Sequence, residues 1–161
     1  MSDGLWTALH RVLAAEQLPY DEASGARALR IPFEGAHGRW LVFARDDDGA
    51  LLRFYALCPV GADGEAQRAA LLELVARINY GLPLATFELD VDRGELRVRT
   101  GVDAEPLAHA TPDVVDAHVS ASLYACAAAL DLYLPAILRV LEHGEAPSEA
   151  LARAEADAHQ A

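Results

Sequence analysis

Apolar residues near the start of the chain recur at three- and four-residue spacing: Leu5, Leu9, Val12 and Leu13, with Trp6 beside them. This spacing predicts a helix from about Leu5 to Gln17, ended near Pro19. A turn-rich stretch over 20–27 follows, then three strand-like runs, Ala28–Glu34, Arg39–Asp46 and Ala50–Cys58. Gly35-Ala36-His37-Gly38 separates the first two, and Asp48-Gly49 the last two. Asp-Gly between apolar runs is a strong hairpin signal. A two-residue loop at Asp48-Gly49 sets Phe43 opposite Phe54 and Val42 opposite Tyr55; the four-residue loop sets Phe33 opposite Trp40 and Ile31 opposite Val42. One sheet face then carries Leu29, Ile31, Phe33, Trp40, Val42, Tyr55 and Leu57. The other carries Pro32, Leu41, Phe43, Leu52, Phe54 and Ala56, with Arg30 and Arg45 among them. Both faces read as apolar, whereas a meander with one wet face alternates more cleanly.

Glu65–Tyr80 has a second helical stripe, Leu71, Leu74, Val75 and Ile78, with Asp63 or Gly64 as cap and Gly81 and Pro83 as stop. Leu84–Asp92 and Glu95–Val102 read as a second hairpin. Looping at Arg93-Gly94 sets Asp90 opposite Arg97 and Glu88 opposite Arg99, with Val91 and Leu89 meeting Leu96 and Val98 on the dry face. A long helix is expected from about Pro112 to His143, capped by Thr111 and stopped by Gly144. Pro135 is expected to kink or split it. The division is one domain over 1–144 and an acidic, Ala-rich tail over 145–161, frayed or a short exposed helix with only Leu151 to bury. The order α-β-β-β-α-β-β-α lacks strand–helix–strand alternation, so the fold class is α+β, an antiparallel sheet packed with helices.

Composition narrows the function. The chain has 161 residues, 53% of them hydrophobic, enough for one core. No apolar run reaches the ~18–20 residues a membrane span needs, and no membrane role is expected. Met1-Ser2-Asp3-Gly4 has no basic segment followed by an apolar one, so no signal peptide is expected, and Cys58 and Cys126, 68 residues apart, are not a disulfide framework; a cytoplasmic, bacterial-type protein is expected. Asp and Glu total 25 against 13 basic residues, all Arg, for a net charge of −12. Such a surface repels a phosphate backbone, which disfavours direct nucleic-acid binding, and steers basic partners.

The chemical constellations are thin. Asp116, His118 and Ser122 share one helix and imitate an acid–base–nucleophile set, but no oxyanion element accompanies them. The six histidines form no H-x-H or H-x-x-x-H pair, and Cys58 has no Cys-x-x-Cys companion, so no metal site is expected. Asp46-Asp47-Asp48-Gly49 has the start of a calcium loop, but Ala50, Leu52 and Leu57 stand where ligands belong, and a hairpin turn explains it better. No glycine-rich phosphate loop occurs, so no cofactor is expected.

The order of elements resembles the class I type III secretion chaperones and the related YbjN-like bacterial domain. The local matches are Arg77-Ile78-Asn79, Leu82-Pro83-Leu84, Phe87-Glu88-Leu89-Asp90 with Gly94-Glu95-Leu96-Arg97-Val98-Arg99, and Asp131-Leu132-Tyr133-Leu134-Pro135-Ala136-Ile137. They cover about residues 5–150. The resemblance implies a small acidic homodimer that binds a segment of a client protein without catalysis; YbjN-like members are linked to regulation and stress. It points to the second helix and second hairpin as the dimer interface, hence to Leu71, Val75, Phe87, Glu88, Arg97 and Arg99. The surplus apolar sheet face and first helix make Trp6, Trp40, Leu41, Phe43 and Phe54 the candidate client-binding residues. A basic DNA- or RNA-binding protein is the client class that the charge suggests. A small-ligand sensor or cryptic enzyme, with a polar pocket between sheet and long helix, is the alternative.

Overall fold

A computed structural model describes residues 4–24 and 27–159. The reading of Met1–Asp3, and Gly25-Ala26 of the turn-rich stretch, lie outside the described residues. The elements are α1 (Gly4–Ala15), β1 (Asp21–Glu22), β2 (Ala28–Glu34), β3 (Arg39–Asp47), β4 (Leu51–Leu57), α2 (Glu65–Gly81), β5 (Thr86–Leu89), β6 (Leu96–Asp103), a 3-10 turn (Glu105–Leu107), α3 (Pro112–His143) and α4 (Pro147–Ala158). The class is α+β: one six-stranded antiparallel sheet, ordered β1-β2-β3-β4-β6-β5, with helices against it.

The β3–β4 register departs from the simple hairpin by one residue. Asp48 and Gly49 both take positive φ (50° and 76°), as a tight hairpin turn requires, and Ala50 N–H closes the turn on the Asp47 carbonyl at 3.0 Å. The ladder then pairs Asp47 with Leu51, Phe43 with Tyr55 and Ala44 with Phe54. Ala50 is left out of that ladder as a bulge, and its carbonyl accepts instead from Ala104 N–H at 2.9 Å. A slip of one residue turns every β4 side chain to the opposite face. Leu52, Phe54 and Ala56 therefore join Leu29, Ile31, Trp40, Val42 and Ala44 in the core, while Tyr55 and Leu57 join Leu41 and Phe43 outside. Both faces carry apolar residues, as expected, but their membership differs: one face is covered by helices and the other is not.

The second hairpin differs by two residues, which preserves the faces. Glu88 pairs with Arg97 and Phe87 with Val98. Asp90 is not a cross-strand partner of Arg97; its carboxylate accepts from the N–H groups of Asp92 and Arg93, both at 3.0 Å, and so builds the loop. Gly94 is required there. Its φ is +75°, and a Cβ would collide with the backbone carbonyl of Ala62.

Pro135 does not split α3, which runs unbroken to the left-handed Gly144. The carbonyl that Pro135 leaves without a helical donor belongs to Asp131, four residues earlier. His37 Nδ1 lies 2.9 Å from that carbonyl and, as the N–H tautomer, donates to it. The Asp131 carboxylate also accepts from the N–H groups of Ala36 and His37, so the β2–β3 loop is fixed onto α3 at the proline.

α3 is long and apolar enough to cross a membrane by length and composition, but half of that apolar window is buried inside the fold. Over its described residues, 145–159, the tail is not a frayed segment: α4 packs on α3 and α2, with Ala150 and Ala154 buried in the contact. Small side chains on both helices allow that approach, which is why an Ala-rich sequence with one Leu suffices.

Candidate protein-binding surface

Alternation along the strands decides what the uncovered face presents. β2, β3, β4 and β6 bury every second residue, and the residues between them point away from all four helices. The register places Arg30, Phe43, Tyr55 and Arg99 in one row across the sheet. Pro32 and Leu41 of the next row pair with each other, as do Leu57 and Arg97. Leu41 and Leu57 are each about two fifths exposed (41% and 40%), and Phe43 and Tyr55 are half-buried. Arg45 stands opposite Arg53 on the same face.

The guanidinium groups are held in a specific way. Asp47 lies between Arg45, at 3.3 Å, and Arg53. Glu88 accepts from Arg97 Nε at 2.8 Å and from Arg99 Nε at 2.5 Å. Partial burial works against the Glu88 charge, but the bonds from Arg99 and Arg97 outweigh it and hold its carboxyl below the ordinary carboxylate range. Arg97 lies 4.4 Å from the Tyr55 ring centroid and Arg53 5.9 Å, so the ring is fixed between two cations.

The structure divides the sequence candidates. Leu41, Phe43, Glu88, Arg97 and Arg99 share the uncovered face. Trp40 and Phe54, expected at a client-binding surface, are 6% and 0% exposed and lie in the core. Their register, not their type, decides this. Leu71, Val75 and Phe87, expected at a dimer interface, are also buried in the protomer, Phe87 against Tyr133. Trp6 stands apart on α1, edge-on to His10 and under the Arg27 guanidinium at 5.3 Å. Tyr55 and Leu57 were missed as binding candidates because the bulge at Ala50 has no signature in a single sequence.

Other chemistry is weaker. Asp116 is occupied by Arg11, whose Nε and Nη2 bind it at 2.9 and 2.5 Å, and does not orient His118. Between α3 and β6 lies a hollow of about 310 Å³ whose polar lining is Thr100, Asp103, His118 and Ser122; the Thr100 hydroxyl is already given to the Ser122 carbonyl at 2.8 Å. A wider cleft of about 920 Å³ lies between α1, the β3–β4 turn and the 3-10 turn, and the Arg11 in its wall is the one bound to Asp116. Burial pushes the thiols of Cys58 and Cys126 up to about 11, which suppresses the thiolate. Among the described residues no three His, Cys, Asp or Glu side chains gather as a metal site.

Residues 7–133 match the YbjN family, described as "Putative bacterial sensory transduction regulator". The chain belongs to the YbjN family. No curated protein matches it in sequence. Among solved structures it is similar to the crystal structure of YbjN, "a putative transcription regulator from E. coli", with a TM-score of 0.56 and 18% identity, covering 89% of this chain and 95% of that one. At that identity the likeness is one of fold. The YbjN part of the sequence resemblance is thereby shown; neither of these two matches is to a type III secretion chaperone.

Proposed function

We propose that this YbjN-family protein is a non-enzymatic, cytoplasmic regulatory adaptor that binds a partner protein as a homodimer, in a stress or signalling setting. One observation carries the reading: four adjacent side chains, Leu41, Phe43, Tyr55 and Leu57, form an apolar block on a sheet face that no helix covers. A monomer gains nothing by leaving these four groups wet, and apolar patches rimmed by polar groups mark interaction sites. The family description supports a regulatory setting.

The dimer is proposed on the outer side of α2. Leu72, Ala76 and Tyr80 lie there at four-residue spacing, exposed, in place of the buried Leu71 and Val75.

The test of the adaptor reading compares affinity capture from the native organism by the wild-type chain and by Leu41→Ser/Phe43→Ser, with mass-spectrometric identification. Both positions are outside the core, so the variant is expected to keep its circular dichroism spectrum and lose a specific partner. Recovery of the same proteins by both chains overturns the reading.

A further inference from the structure

We propose that the uncovered sheet face takes an acidic segment of its partner, with carboxylates spaced to meet Arg30 on one side and the Arg97/Arg99 pair on the other. The inference rests on the reading of this face as a docking surface and adds the chemistry of what docks.

The charge of the whole chain points the other way, to a basic partner, but that charge is a sum over all surfaces. The centre of this face carries five guanidinium groups, Arg30, Arg45, Arg53, Arg97 and Arg99, and two carboxylates, Asp47 and Glu88. Each carboxylate is shared by two arginines, so each arginine keeps N–H donors unused. Arg30 is in no ion pair among the described residues and is exposed. Asp21 of the outermost strand stands opposite Arg30 without an ion pair to it, Asp103 ends the row that begins at Asp47, and Glu34 is bound by Arg39. The acidic edge surrounds a basic centre, and the basic centre surrounds the apolar block.

Register gives the spacing. Arg30 and Arg99 are three strands apart, about 14 Å at the usual strand separation. Two aromatic rings, Phe43 and Tyr55, lie between them in the same row. An extended segment crosses about 14 Å in about four residues, and its side chains alternate in direction. The matching pattern is acid–x–apolar–x–acid, the acids engaging guanidinium forks and the apolar residue seated on the rings. The planar fork of Arg suits bidentate carboxylate recognition.

The test uses the full chain and fluorescence anisotropy with three probes: a glutamate–tyrosine copolymer, a lysine–tyrosine copolymer and an oligo-dT strand. The glutamate–tyrosine probe is expected to bind in spite of the net negative charge. Arg30→Glu/Arg99→Glu is expected to weaken it at least about tenfold, the scale of one lost charged hydrogen bond. Because Arg99 also holds Glu88, the exposed single variant Arg30→Gln serves as a second measurement, with a smaller loss in the same direction. The lysine–tyrosine probe is expected to bind acidic surfaces elsewhere and to be indifferent to these variants.

If the glutamate–tyrosine probe fails to bind, or binds all variants equally, the inference is overturned. It is equally overturned if oligo-dT binds more tightly through the same arginines, or if light scattering shows a second copy of the chain held on this face. Loss of the lysine–tyrosine probe in Leu41→Ser/Phe43→Ser means a basic segment docks here: the acidic preference falls and the docking face stands. If no probe responds to the arginine or the Leu41/Phe43 changes, both fall.

Discussion

At the scale of single residues, Asn79 shows how much one side chain can organise. It sits near the end of α2, donates from Nδ2 to the Phe87 carbonyl at 2.9 Å and accepts the Phe87 N–H at 2.8 Å. It thereby serves the backbone of β5, the terminal strand, as a further strand would. Asn79→Leu removes both bonds and leaves a half-buried N–H and C=O without partners. We expect a loss of about 2–4 kcal/mol in urea unfolding, two hydrogen bonds each costing about 1–2 kcal/mol when broken from one side. Glu88 gives the acid dependence. Its carboxyl is held below the ordinary range, so the folded state binds its proton less readily than the unfolded chain. Its contribution is present above the unfolded value of about 4.3 and is lost as pH falls through the folded value. The stability gap between wild type and Glu88→Gln should therefore be widest at neutral pH, begin to narrow near the unfolded value of about 4.3 and close as pH falls through the lower folded value, as read from urea midpoints across pH. A gap that does not change with pH contradicts the role of the Arg97 and Arg99 bonds.

At the scale of elements, most spans and the β2–β3 register, with Phe33 opposite Trp40 and Ile31 opposite Val42, were legible in the sequence, while the β3–β4 and β5–β6 registers and the short β1 were not. β2 and α3 match their predicted ranges because apolar period, caps and stops agree there: Pro112 at the first turn and Gly144 in left-handed conformation bound α3 without ambiguity. The β3–β4 pairing slipped because a bulge is one residue, and Ala50 is neither polar nor apolar enough to betray which strand it belongs to. That slip hid the candidate site, since it moves Phe54 inward and Tyr55 outward. Deleting Ala50 should restore the plain hairpin and turn Phe54 to solvent. We expect loss of cooperative unfolding and of near-ultraviolet circular dichroism, while Ala50→Gly keeps both. Pro135 misled in the same way, because its compensation is non-local. His37 comes from a loop 94 residues from Asp131 and serves the orphaned carbonyl. A double-mutant cycle isolates this. His37→Ala should cost about 1 kcal/mol in the wild type and less in Pro135→Ala, where a helical N–H returns to the Asp131 carbonyl. Equal costs in both backgrounds mean that His37 acts elsewhere.

At the scale of the molecule, the proposed dimer follows from the difference between the two stripes of α2. One stripe, Leu71, Leu74, Val75 and Ile78, is buried in the protomer. The other, Leu72, Ala76 and Tyr80, is not covered by anything; Tyr80 is 97% exposed, and Leu84 just beyond the helix is 78% exposed. The sequence showed only the first stripe, because a helix apolar on two sides has a weak periodic signal. The second stripe has a size order, large–small–large, centred on Ala76. Two copies crossing antiparallel at Ala76 set Leu72 of each against Tyr80 of the other, so the patch is complementary to itself, as a two-fold interface demands. Ala76 permits close approach at the axis. Glu73 and Arg77 flank the stripe as an ion pair at 2.8 Å. We expect Leu72→Glu to give a species of 17.3 kDa by light scattering where the wild type gives twice that. Its stability at high dilution should be nearly unchanged, because Leu72 is outside the core. Leu71→Ala should behave oppositely: it opens a cavity in the protomer and costs about 2–5 kcal/mol whatever the oligomeric state. A wild-type chain already at the protomer mass, at micromolar concentration, removes the dimer while leaving the sheet face to be judged on its own binding.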